Sequence, residues 1–180
     1  MDLAALDDEV TGLAKFFATL LEIPCDWRKQ PRAMHCAPSA LLDLVTSGPI
    51  GVDELVSADA PGPATTETVY GLREMTVQVT VWSLSQKLGA SARFFLERLR
   101  TRLRWTSSVT ALAMLGLALV GVEPIVLADA PQDGRTASQA SMDLHFTFGV
   151  AESDAPTPFI ESVDLARSID GAPPSTEKIP

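Results

Sequence analysis

The sequence predicts an α+β fold: a mainly antiparallel sheet of about four to five strands, with helices packed on one face. Three observations carry that prediction. Val77, Val79 and Val81 alternate with Thr76, Gln78 and Thr80, the period-two signature of a half-buried strand. Leu88, Ala92, Phe95, Leu96, Leu99 and Leu103 follow directly on one helical stripe. Met142, Leu144, Phe146, Phe148 and Val150 alternate with Asp143, His145 and Thr147 further on. Such alternation belongs to antiparallel sheets with one covered face.

The elements follow in order. A first helix is expected over about Asp7–Leu21, with Val10, Leu13, Ala14, Phe17 and Leu21 on one stripe. Asp7, Asp8 and Glu9 would then occupy its first turn, where the dipole favours anions. Ile23-Pro24 ends it. Cys25 to Pro38 reads as an irregular or edge connection and Leu41–Thr46 as a short strand. Ser47–Thr68 is rich in Gly, Pro, Ala and Asp and reads as a long loop, while Met75–Ser83 is the clearest strand. After the helix ending near Leu103, a second one capped by Ser107 or Ser108 should run to about Leu117. A strand over Val120–Leu127 is placed at an edge or bulge by Pro124. Ala130–Thr136 reads as a loop, Ser141–Val150 as a strand and Phe159–Leu165 as a last short strand. The whole of 1–170 is expected as one domain, and the Pro- and Ser-rich 171–180 as a disordered tail.

A chain of 180 residues with 46% apolar content is long enough to bury a substantial core. Its net charge of −9 argues against nonspecific DNA binding, which needs a basic footprint. Two cysteines, Cys25 and Cys36, are too few for a disulfide framework and are expected as free thiols. The acidic N-terminus has the wrong charge for a secretory signal, and the uncharged run Val109–Val122 is shorter than the roughly 20 residues of a membrane span. The chain is therefore expected in the cytoplasm at synthesis, away from membranes.

No motif carries chemistry. Gly-rich phosphate loops and the Gly-x-Ser-x-Gly elbow are absent. His35-Cys36 with Cys25 falls short of the four ligands of a structural zinc site, and its simpler reading is a small buried cysteine beside a surface histidine. His145 lies on the polar face of its strand, where a cross-strand hydrogen bond accounts for it. No enzyme activity, cofactor or metal is expected. The one local electrostatic feature is Arg93, Arg98, Arg100, Arg102 and Arg104 within twelve residues of an acidic chain. At 100° per residue Arg93, Arg100 and Arg104 share a face with Glu97, and Phe94 lies off the apolar stripe. One reading is a solvated face with an internal ion pair. The other is a subunit interface, with Arg93, Phe94, Arg98, Arg100 and Arg104 meeting an acidic neighbour and Phe94 as anchor. A lumen facing DNA is a third.

From about Leu41 to Leu165 the chain resembles the tail-terminator or neck proteins of long-tailed bacteriophages. The resemblance lies in the strand Glu74-Met-Thr-Val-Gln-Val-Thr-Val-Trp-Ser83 and the helix Ala92-Arg-Phe-Phe-Leu-Glu-Arg-Leu-Arg-Thr-Arg-Leu103. It continues in Gly-Leu-Ala-Leu-Val-Gly-Val from Gly116, the strand Met142–Val150, and Phe159-Ile-Glu-Ser-Val-Asp-Leu165. It departs at Pro38, which is followed by Ser39-Ala40 where the family usually has Pro-Tyr. The resemblance implies a structural virion protein that forms a homohexameric ring on the tail tube, stops tube polymerisation and joins it to the neck. Implied partners are the tail-tube, head-completion and sheath proteins, with DNA only as cargo passing through the lumen. It further implies assembly in the host cytoplasm and residence at the tail–neck junction. Other readings are an adaptor subunit of a cellular assembly such as a secretion apparatus, or an enzyme with its site on the Ser47–Thr68 loop.

Overall fold

The computed structural model describes residues 3–28, 37–60, 64–85, 89–128, 130–132, 135–154, 157–158, 163–167 and 175–179. The chain divides into two compact units: Met1–Val52 with Gly71–Val150, and Asp53–Tyr70 with Ala151–Pro180. The sequence expectation is one domain over 1–170.

In the first unit, helix α1 (Leu3–Leu21) buries Leu13, Ala14, Phe17 and Leu21. It starts four residues earlier than its acidic residues suggest, so Asp7, Asp8 and Glu9 lie beyond its first turn. After β1 (Cys25–Trp27) come the long strands β2 (Ser39–Ala60) and β3 (Ala64–Ser83). Helices α2 (Ala92–Arg102) and α3 (Thr106–Met114) follow, then β4 (Ala118–Val122), β5 (Val126–Leu127), β6 (Ala130–Gln132) and β7 (Arg135–Ser153). The sheet runs β1-β2-β3-β7-β4, with β1 parallel to β2 and β4 antiparallel to β7. The α+β class is thus observed.

The expected alternation decides the core. Val77, Val79 and Val81 of β3 and Met142, Leu144 and Phe146 of β7 are buried in one cluster with the α1 stripe and with Ala92, Leu96, Leu99 and Leu103. On the other face Thr76 Oγ1 bonds His145 Nδ1 at 3.0 Å, and Gln78 donates to Asp143 at 2.9 Å. These cross-strand pairs, each of order 0.2–1 kcal/mol, hold β3 to β7 on the polar face.

Helix α2 is set by its start. Ser91 caps it, accepting from the Phe94 N–H at 3.4 Å, and the buried Ser138 hydroxyl of β7 accepts the Ala92 N–H at 3.2 Å. Both satisfy amide groups that a helix start leaves without an internal partner. Helix α3 is begun by Trp105 with no side-chain cap. Ser108, expected as a cap, instead donates to the Arg102 carbonyl at 2.8 Å, tying the two helices. Gly116 (φ 71°) ends α3: its N–H reaches Ala113 O and the Leu117 N–H reaches Leu112 O, the paired bonds of a left-handed C-terminal cap.

The largest departure from expectation is Ser47–Thr68. Its described residues form the facing ends of β2 and β3, where a loop was expected. Gly48, Pro49 and Gly51 suggested a break, yet β2 has no strand partner on its outer side beyond Leu42 among the described residues. An edge tolerates proline because no outward N–H bond is lost, and Gly51 takes φ 76° within the strand. Pro124 falls between β4 and β5, and the expected loop Ala130–Thr136 holds β6 and the start of β7, paired Gln132 to Arg135.

In the second unit, β8 (Thr157–Pro158) pairs with Ala64 and Thr65 of β3. Strands β9 (Val163–Arg167) and β10 (Ser175–Ile179) pair antiparallel. The expected strand Phe159–Leu165 is therefore observed only from Val163, its first four residues lying outside the described set, and the expected disordered tail includes β10.

Candidate subunit interface

Helix α2 presents two kinds of arginine. Arg98 and Arg102 turn toward α1: both pair with Glu22, Arg102 at 2.8 Å, and Arg102 Nη1 also donates to the Leu20 carbonyl at 2.6 Å. Arg102 further lies 5.5 Å from the centre of the Trp105 ring. A cation on the last carbonyls of α1 is favoured by the helix dipole. Glu22 itself occupies the left-handed position after α1 (φ 59°), a place usually given to glycine. Its side chain explains the choice, since glycine would supply no carboxylate for the two guanidinium groups. Arg98, one of the expected interface residues, thus has an internal ionic partner in Glu22.

The hydrogen bonds from Arg98 and then Arg102 hold the Glu22 carboxyl below its ordinary value of 4.5. A lowered pKa contributes stability above the unfolded value, which is lost as pH falls through the folded one. Glu22→Gln should therefore lower the thermal midpoint at pH 7, with the gap to wild type closing below about pH 4.5. A gap that stays constant from pH 7 to pH 3 would contradict the pairing.

Arg93 and Arg104 are exposed and Arg100 is half-buried; none has an ionic partner among the described residues. Arg93 and Arg100 stand on the helix with Glu97 between them, while Arg104 follows in the turn after it. Phe94 is 40% exposed and meets Phe95 edge-on at 6.1 Å. The expected face therefore offers three cations, Arg93, Arg100 and Arg104, that no described carboxylate engages, beside Phe94.

The residues considered for chemistry are otherwise engaged. Cys25 is a buried free thiol whose pKa is pushed up to about 12, by burial and then by Asp26. Cys36 and His35 lie outside the described residues. His145 bridges Thr76 and Glu123, its Nε2 lying 3.3 Å from the carboxylate. It borders an open depression on the polar face together with Ser141, Asp143 and Gln78. Ser141 and His145 are four residues apart on one strand, about 13 Å, well beyond the reach of a nucleophile–base pair. Among the described residues no group of three His, Cys, Asp or Glu side chains could hold a metal, and no helix is long and apolar enough to cross a membrane.

Sequence reasoning missed an acidic face in the second unit. Thr68 and Ser153 share a hydrogen bond of 2.8 Å between their hydroxyls, and the Asp154 N–H donates to the Glu67 carbonyl at 2.9 Å. By strand alternation Glu67 and Val69 then share the opposite face with Glu152 and Asp154. All four are exposed. The alternation Thr66-Glu67-Thr68-Val69 was a usable signal, hidden by the loop reading. No protein-family model and no curated protein matches the chain.

Proposed function

We propose that the chain is a structural subunit that assembles with copies of itself into a ring, and that the ring is a bacteriophage tail terminator. The observation that carries this reading is where exposed apolar side chains lie. Among the described residues nine of seventeen exposed large hydrophobics fall on β2 and β3, including Val52 at 98% and Leu55 at 58% exposure. Isolated exposures are ordinary, whereas a concentration on two neighbouring strands marks an interaction surface. The open outer edge of β2 adds main-chain groups able to pair with another chain. The order β3, α2, α3, β4, β7 supports the phage assignment, because it follows the stretches in which the sequence resembles tail terminators.

In this reading six copies cap the tail tube at the tail–neck junction, stop its growth and offer a docking surface to head-completion proteins, with sheath around the tube and DNA passing through. The role is architectural, so it needs neither catalytic residues nor a cofactor. Light scattering of the chain, alone and with the tail-tube protein of the same virion, tests it. A discrete multimer in either condition is expected; a monomer in both overturns the reading.

A further inference from the structure

The chain's charge is divided unevenly between its two units. Asp53–Tyr70 and Ala151–Pro180 hold ten of the 23 acidic residues and two of the 14 basic ones. A net charge of −8 out of −9 therefore sits on the smaller unit, and the larger one is close to neutral. Within the smaller unit, Glu67 and Asp154 face each other on neighbouring chain segments, with Glu152 two residues along from Asp154. Neither the Glu67 nor the Glu152 carboxylate has an ionic partner among the described residues. Val69 lies among them, 37% exposed.

The Arg93–Arg100 face of α2 has the complementary chemistry. Its two cations are seven residues apart, about 10 Å along the axis, with the half-exposed Phe94 ring beside them. The carboxylates occupy two strand residues, about 7 Å, a difference that flexible arginine stems span readily. Resting on the ring reading above, we infer that the acidic face of one copy (Glu67, Glu152 and Asp154 around Val69) seats on the Arg93, Phe94 and Arg100 face of a second copy. The contact is heterologous: each copy gives one face and receives the other. Repeated head to tail, such a contact closes a ring if the rotation between copies is right. Opposed charge on its two halves also steers encounter and fixes which surfaces meet. Glu97, the one carboxylate between the arginines, works against the contact.

Paired charge reversals test this. Arg93→Glu/Arg100→Glu leaves both faces acidic, and Glu67→Lys/Glu152→Lys leaves both basic. Under the conditions in which wild type assembles, each double variant should need at least tenfold more protein to reach half assembly. Circular dichroism and thermal midpoint should stay near wild type, because the altered side chains are exposed or half-exposed. An equimolar mixture of the two variants should recover assembly, since every contact in it again joins opposite charges. Glu97→Lys should tighten assembly, and raising salt from 50 to 500 mM should loosen that of wild type. If a reversed variant fails to fold, Arg93→Gln/Arg100→Gln and Glu67→Gln/Glu152→Gln give the same comparison without new charge. Wild-type assembly with both double variants unaffected overturns this contact and leaves the ring reading standing. Variants that lose assembly but do not rescue each other also overturn it, because the faces then meet within one chain or bind a different partner such as tube protein or DNA. A wild type that stays monomeric alone and with tube protein overturns the contact together with the ring.

Discussion

Val79→Asp should yield no folded protein. Val79 lies in the C-terminal half of β3, fully buried in the cluster that joins β3, β7, α1 and α2. A carboxylate there must either stay ionised without a partner or take up a proton and still leave its oxygens unsatisfied. Either cost exceeds the 4–5 kcal/mol that marks an exceptional substitution, against a total stability of about 5–15 kcal/mol for a domain. The same change at Val120, which is 62% exposed on the edge strand β4, should cost no more than about 0.5 kcal/mol. Soluble yield and far-UV circular dichroism of the two variants make the comparison. A soluble Val79→Asp protein with the wild-type thermal midpoint would mean that the helices do not cover this face of the sheet.

Phe17→Ala should lower stability by about 3–5 kcal/mol, the range for deleting a buried aromatic ring. Phe17 is fully buried, with Phe16 tilted against it at a centroid distance of 5.5 Å. The cavity cannot close easily, because the end of α1 is held by the bond from Arg102 to Leu20 and by the two arginines on Glu22. A shift in the denaturant midpoint at unchanged slope is the expected signature. A loss below 1 kcal/mol would show that α1 is peripheral to the cooperative unit.

The parts of the fold legible in the sequence were those where burial imposes a period. The β3 valines, the α2 leucines and the β7 alternation each have one dry face, and the structure buries those residues. The facing ends of β2 and β3 were illegible for the converse reason. With Val52, Leu55 and Val56 all exposed, consecutive residues on both faces are apolar and no clean alternation survives. Gly51 and Pro49 add turn chemistry that an edge strand absorbs.

For the interface, the arginine cluster and the outward position of Phe94 could be read from a helical wheel. The fate of Arg98 and Arg102 could not, since Arg102 meets Glu22 across 80 residues of sequence. The acidic face was equally hidden, because it forms only when Glu67 and Glu152 are brought together by the pairing around Thr68 and Ser153.

Self-assembly is the claim on which the functional account stands, and the molar mass of the wild-type chain in solution tests it most directly. Measured by light scattering alone and with the tail-tube protein, the chain should in at least one condition form a discrete species to which it contributes about six times the 19.2 kDa subunit mass. A mass of one subunit in both conditions, at every concentration tried, would contradict the account.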